Sequence, residues 1–191
     1  MKHRAIKAIS LLAPFALLAA CGPSWVVVKQ SNPNALAGKK VYAVEAVKFD
    51  NLMVGKKSEA EYLTGKDQKA VDGFAADKTA MTENFTAQMI KRKGGLDISA
   101  STGAAPAGGF TVRPVIYWLE PGSFNAMFNI PTEAKAKLQI VDAQNVVVDE
   151  IEIKTAVGAD LYHPAVGTRL RAAANQLATI SVNYLNTRVG E

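Results

Sequence analysis

The chain of 191 residues is 49% hydrophobic, 20% charged and 7% aromatic, with 22 Lys and Arg against 17 Asp and Glu, a formal net charge of +5 and a single Cys. That length and apolar content suit one globular domain and exclude an intrinsically disordered chain, which cannot bury enough surface to offset the entropy of ordering. One Cys excludes an intramolecular disulfide framework, and a basic balance invites a polyanionic partner only until the charge is located along the chain.

Much of it lies at the start. Lys2, Arg4 and Lys7 precede an apolar run over residues 8–20, broken by Ser10 and Pro14 and free of acids. The run is shorter than the roughly 20 residues a helix needs to span a bilayer, and a basic stretch before a short apolar one is the pattern of an export signal. It ends Leu18-Ala19-Ala20-Cys21-Gly22. This ending resembles the bacterial lipobox: a Leu three positions before Cys, two small residues, then Cys. The resemblance implies a diacylglyceryl group on the Cys21 sulfur, cleavage just before it and acylation of the new N-terminus. Residues 1–20 are then a lipoprotein signal peptide. Two or more acyl chains anchor stably because each buried CH₂ contributes about 0.8 kcal/mol, whereas one chain binds marginally. The bland alternative is a secreted chain whose cleavage site happens to precede a Cys. Gly22 and Pro23 stand where an Asp would, in enteric bacteria, favour the inner membrane, so the resemblance implies the outer membrane, on its periplasmic side. Without the leader 19 basic residues face 17 acids, and a nucleic-acid partner is not expected.

Residues 21–38 read as a lipidated N-terminal segment and tether, although 25–28 is apolar enough for a first strand and 31–34 reads as a turn. The single domain is expected over 39–191. Residues 39–49 alternate Val41, Ala43, Val47 and Phe49 with Tyr42, Val44 and Ala46, so both faces are apolar and the strand is interior. Residues 50–66, with two Gly and paired lysines, read as a loop. Over 69–93 the period becomes 3.6, with Val71, Phe74, Met81, Phe85 and Met89 on one side, and Gly94-Gly95 stops the helix. Lys91, Arg92 and Lys93 then suit the negative end of its dipole better than they suit a phosphate site.

A short strand over 96–99 leads into a small-residue loop over 99–109. Residues 110–119 alternate again, but Pro114 argues for an edge strand or a bulge. Residues 134–142 and 146–155 read as a hairpin around Asp142-Ala143-Gln144-Asn145, with Lys135 and Lys137 facing Glu150 and Glu152 across the strands. The last helix starts near His163-Pro164 and shows a stripe of Val166, Leu170, Ala173, Leu177 and Tyr184. The expected fold is α+β: a single mixed, largely antiparallel sheet of four to six strands with two helices packed on one face.

The stretch Trp118-Leu119-Glu120-Pro121-Gly122-Ser123 and the turn Val141-Asp142-Ala143-Gln144-Asn145, taken with the lipobox, resemble uncharacterised bacterial envelope lipoproteins. The outline is also similar to the small α+β domains of transporter-associated and curli-type secretion lipoproteins. That resemblance implies a fold and an address; it transfers no functional residue beyond Cys21.

No motif carries catalysis. His163 is the one imidazole of the processed chain and precedes a proline at a helix start, a structural position. Metal-ligand spacings are lacking, and Gly65-Lys66 is followed by Asp67 with no upstream Gly, so it is no phosphate loop. Glu59 with Glu61, or Glu150 with Glu152, would be needed for glycoside chemistry, but the latter pair looks solvated and matched to lysines. No enzyme activity, metal or cofactor is expected. Two loops remain as contact surfaces. One is 121–132, where Phe124, Met127, Phe128 and Ile130 either cover the core or offer anchors to a partner. The other is 51–66, with Leu52, Met53 and Tyr62. The expected role is a non-enzymatic accessory or protein-interaction module, bound to the membrane through Cys21 and to other envelope proteins; the alternative is a binding protein for a lipid or small hydrophobic ligand.

Overall fold

A computed structural model describes residues 24–103, 105–124, 129–160, 163 and 165–191, the side chains of 124 and 129 excepted. Cys21 and the leader lie outside the described residues. The elements run β1 (Trp25–Lys29), β2 (Val41–Val44), β3 (Met53–Val54), β4 (Lys57–Ser58), α1 (Glu59–Leu63), α2 (Gln68–Arg92), β5 (Asp97–Ala100), β6 (Phe110–Glu120), β7 (Ser123–Phe124), β8 (Asn129–Ile130), β9 (Thr132–Val141), β10 (Val147–Val157) and α3 (Val166–Gly190).

The α+β class and the mixed, mostly antiparallel sheet are present, but among the described residues the sheet has eight strands rather than four to six, and there are three helices rather than two. Six strands lie in the order β1-β10-β9-β6-β2-β5, β3 pairs with β6 and β4, and β7 with β8 forms a separate hairpin. The undercount has a physical cause. Strands of two residues such as β3 and β4 show no alternation for a sequence pattern to reveal. Residues 51–66, expected as a loop, instead fold into β3, β4 and the short α1, which opens with a capping box between Ser58 and Glu61.

The β9–β10 hairpin forms, with Leu138 opposite Ile151 and Ala136 opposite Ile153 on the covered face, but of the two expected lysine–glutamate pairs only Lys137 faces a glutamate, Glu152, while Lys135 lies opposite Lys154 and Glu150 opposite Gln139. Its turn closes because Asp142 Oδ1 accepts from the amides of Gln144 (2.9 Å) and Val146 (2.8 Å), while Asn145 takes a left-handed φ of 62°. On the open face Lys137 lies 3.7 Å from Glu150 and 3.8 Å from Glu152, and Lys154 lies 2.9 Å from Glu133.

Pro114 is a correction. It sits inside β6, a strand flanked by β9 on one side and β2 on the other, and not at an edge. The carbonyls of Val112 and Pro114 accept from Glu45 and Lys48, and the Ile116 amide donates to Lys48 O, so Pro114 N faces that same side. There the chain leaves the sheet between Val44 and Lys48, so no acceptor waits for the missing N–H. Arg113 bridges the departure by a two-pronged contact to Glu45 at 2.9 and 3.1 Å.

Helices α2 and α3 pack on one face of the sheet. Phe74, Met81, Phe85 and Met89 of α2 are buried with Leu170, Ala173, Leu177 and Tyr184 of α3. Asp67 caps α2 by accepting from Ala70 N at 2.8 Å, Lys91 and Arg92 close its last turn, and Gly94 follows with φ 61°. At the start of α3 a Cβ on Gly167 would lie 2.5 Å from Asp77 Oδ1, so a larger residue there would make the Asp77 carboxylate move aside. The expected proline at the head of α3, Pro164, lies outside the described residues.

Part of the segment read as a tether is the strand that its apolar run allowed. Residues 25–29 form an edge strand antiparallel to β10, with Trp25 opposite Ile153 and Val27 opposite Ile151. The chain then crosses the end of α3: Asn34 Nδ2 donates to Arg188 O (2.7 Å), Gly38 N donates to Val189 O (3.0 Å), and Leu36 is 0% exposed. Among the described residues the folded unit therefore includes residues 25–29 and the stretch that crosses α3.

Candidate functional site

The described residues contain no group of three or more His, Cys, Asp or Glu able to hold a metal ion. Glu61 is committed to its capping box, where the Ser58 hydroxyl and amide hold its carboxyl below the usual range. Glu59 pairs with Lys78, and Glu150 accepts from Gln139 Nε2 at 2.7 Å. His163 turns its Nδ1 to Asp160 Oδ1 at 3.0 Å, a local contact whose carboxylate also accepts from the His163 amide at 2.7 Å. None of these groups faces another across a cleft.

The two loops singled out from sequence do come together. A depression of about 320 Å³ is walled by Tyr62 of α1 and Lys66 after it, by Phe74 and Asp77 of α2, by Pro121 and Gly122 before β7, and by Val166 of α3. Local chemistry fixes both walls. Trp118 Nε1 donates to Gly55 O at 2.8 Å and Gly55 N donates to Leu119 O at 2.8 Å, which binds the β3–β4 turn to the end of β6. Gly122 turns the chain with φ 73°, and a Cβ there would meet Ile130 O at 2.5 Å, so this glycine is required by both dihedral and space.

The hairpin base rests on a buried arginine. Arg169, 1% exposed, donates from Nε to Thr132 Oγ1 at 2.9 Å and approaches the carbonyls of His163 and Pro121 at 3.5 Å; Thr132 in turn donates to Pro121 O at 2.6 Å. Of the four anchor candidates, Ile130 is 48% exposed at the hairpin rim. Phe124 is the last residue of β7 without a described side chain, and Met127 and Phe128 lie outside the described residues. Around the depression, Lys66 lies over the Tyr62 ring at 4.4 Å, and burial pushes the Asp77 carboxyl up against the opposing pull of Arg171.

A second polar cluster was not foreseen. Asp149, 0% exposed on the covered face of β10, accepts from Arg188 Nε (2.9 Å), Tyr184 Oη (2.7 Å), Ser31 N (2.8 Å) and Ser31 Oγ (2.8 Å). Burial alone raises this carboxyl, but Arg188, the Ser31 amide and the two hydroxyls outweigh it and hold Asp149 below the usual range. Burial and the same carboxylate push the Tyr184 phenol up. All lone pairs and donors are answered, so the cluster is a clamp between β10, α3 and the N-terminal segment, with no group left over for chemistry. Its sequence signal was an Asp at an inward position of the apolar alternation Val147, Ile151, Ile153.

No family model and no curated protein sequence matches the chain. Solved structures share its outline. The DUF330 protein XCC0632 from Xanthomonas campestris is similar with 11% identity over 86% of this chain and 93% of its own, at a TM-score of 0.50. PelC of Paraburkholderia phytofirmans, crystallised as a dodecamer, aligns at 9% identity over 82% and 96%, with a TM-score of 0.44. A putative neuraminyllactose-binding hemagglutinin homolog from Helicobacter pylori aligns at 9% over 84% and 87%, with a TM-score of 0.37. The neighbours are small α+β domains, and at such identities the likeness concerns the fold alone.

Proposed function

We propose that this chain is a lipid-anchored envelope protein, acylated on Cys21 and held at the periplasmic side of the outer membrane, where it serves as a non-enzymatic accessory module. Its contact surface is the end of the domain where residues 51–66 and 121–132 meet, with Phe124, Met127, Phe128 and Ile130 as anchors. The observation that carries the reading is the convergence of residues 51–66 and 121–132 on one depression, walled by Tyr62, Lys66, Pro121 and Gly122. The lipobox supplies the address.

The test is crosslinking in intact envelopes, followed by recovery of this protein with whatever it contacts. A recurring partner is expected with the parent chain and is lost with Phe128→Ser and Ile130→Ser. Recovery of nothing, with those substitutions changing only stability, would end this reading. The lipid-binding alternative needs space between helices and sheet, and there Met81, Phe85, Met89, Leu177 and Ile151 fill the interior. An open depression of about 460 Å³ does lie between α2 and the β2–β5 edge, lined by Val44, Ala46, Thr86, Ile90 and Ala100, and a small apolar ligand bound there would favour this alternative.

A further inference from the structure

The main path of the sheet ends in β1 on one side and in β5 on the other. β5 runs parallel to β2, and the amides of Asp97 and Ser101 donate to Lys40 O at 2.7 Å and to Val44 O at 2.8 Å. Backbone groups alternate sides along a strand, so residues 97, 99 and 101 bond β2 while the amides and carbonyls of Ile98 and Ala100 point outward. Among the described residues nothing pairs with them. β5 also lacks the Lys, Pro or bulge that blunts many open edges.

Beside this edge α2 forms a wall. Glu83, Thr86, Ala87 and Ile90 line one open depression of about 460 Å³ together with Val44 of β2 and Ala100 of β5. Its surface is small or apolar apart from one charge, and Ile90 is 36% exposed. That charge is Glu83, and among the described residues no cation or hydrogen-bond donor meets its carboxylate.

We infer that the β5 edge takes an extended segment of a partner protein as a further strand, with alternate apolar side chains resting on Ile90 and Ala100 and a Lys or Arg reaching Glu83. Main-chain bonds to Ile98 and Ala100 hold the segment, and the depression selects its side chains. Only every second side chain of an added strand faces α2, so recognition falls on that row. Glu83 and Ile90 stand roughly 10 Å apart along the axis of α2 at about 1.5 Å per residue, a span of about three strand residues. This surface uses a later stretch of α2 than the depression at Tyr62, and it stands whether or not Cys21 is acylated.

The test titrates the full, isotope-labelled chain in detergent micelles with the synthetic peptide acetyl-Thr-Val-Thr-Val-Thr-Lys-Thr-amide and with its reversed sequence, which covers both strand directions. One of the two should slow amide exchange at Ile98 and Ala100 about tenfold at about nine-tenths occupancy, since only the vacant edge exchanges, and leave Asp97 and Ser99 as they were. Glu83→Lys should abolish the slowing, with exchange in the β9–β10 ladder unchanged to show that the variant is folded. A peptide carrying Glu in place of its Lys should restore the slowing on that variant. If neither peptide slows 98 and 100, the inference is overturned. Shifted Ile90 and Ala100 signals without slowed exchange would mean that the depression takes apolar groups and adds no strand, which overturns it too. Amides at 98 and 100 that slow with rising protein concentration alone would put a second copy on the edge in place of a partner. Slowing that survives Glu83→Lys would remove the basic residue and overturn the occupant named here.

Discussion

The two buried arginines stand at opposite ends of α3 and hold the fold in different ways. Arg188 meets a carboxylate at 2.9 Å, and that carboxylate also collects a phenol and two groups of Ser31. Among its partners, Arg169 meets the Thr132 hydroxyl at 2.9 Å and the carbonyls of Pro121, at the hairpin base, and of His163, before α3, at 3.5 Å. One cluster is a charge-assisted lock between three distant stretches of chain, centred on a carboxylate; the other joins the start of α3 to the base of the β7–β8 hairpin through a hydroxyl and carbonyls.

The sharpest way to break that contrast is Asp149→Asn. It leaves Arg188 buried without its counter-charge, and a loss of about 3–5 kcal/mol is expected in urea unfolding. Replacing both partners with apolar groups, Asp149→Leu with Arg188→Met, should recover most of that loss, since the desolvated charge goes with its mate. If the double variant is as unstable as the single one, the clamp works through packing and not through charge.

The same carboxylate gives a pH signature. Because its folded pKa is held below the unfolded value of about 3.9, the stabilisation is complete above that value and is lost as pH falls toward the folded one. The stability gap between parent and Asp149→Asn should be flat from pH 5 to 8, as a range chosen for measurement on the order of the neutral plateau, and narrow only below about pH 4. A gap that narrows near neutrality would assign the effect to another group.

At the hairpin, Gly122→Ala should cost about 1–3 kcal/mol, the range for a strained residue, because it forces a side chain onto a φ of 73° against Ile130 O. Native-state hydrogen exchange should place the damage at residues 121–132 and leave the β9–β10 ladder protected. Uniform loss across the sheet would make the hairpin part of the cooperative core and remove the contrast between the two arginines.

Local pattern explains which parts of this structure were readable. The β9–β10 hairpin, α2 and most of α3 follow from periodicity, capping residues and a stopping Gly, all of which act over a few positions. Pro114 misled because its tolerance depends on a partner strand departing at residues 45–47, a fact of tertiary structure that no neighbour in sequence encodes. Residues 25–28 were legible only as a strand that their apolar run allowed for a similar reason, since β1 is an edge strand whose order depends on β10, more than a hundred residues on in the register. The loops at 51–66 and 121–132 were recognisable by apolar density, but their meeting was not, because it is made by Trp118, Gly55 and the parallel pairing of β3 with β6. Asp149 was visible as a polar residue in an inward row, although its partners Ser31 and Arg188 come from the two ends of the chain.

The smallest expected effect tests whether the clamp's completeness is general. Every polar atom around Asp149 is answered, whereas Thr155, six residues along the same strand on the same inward face, is buried with an Oγ1 that has no hydrogen-bond partner among the described residues. An unanswered buried hydroxyl costs folding free energy, and valine keeps the branched shape without the oxygen. Thr155→Val should therefore raise stability by about 1 kcal/mol, read as a higher melting temperature with an unchanged denaturant slope. A neutral result would mean the hydroxyl is satisfied by water in solution, and a loss would mean it serves a partner at the loop-bearing end of the sheet, where Thr155 faces Ala134.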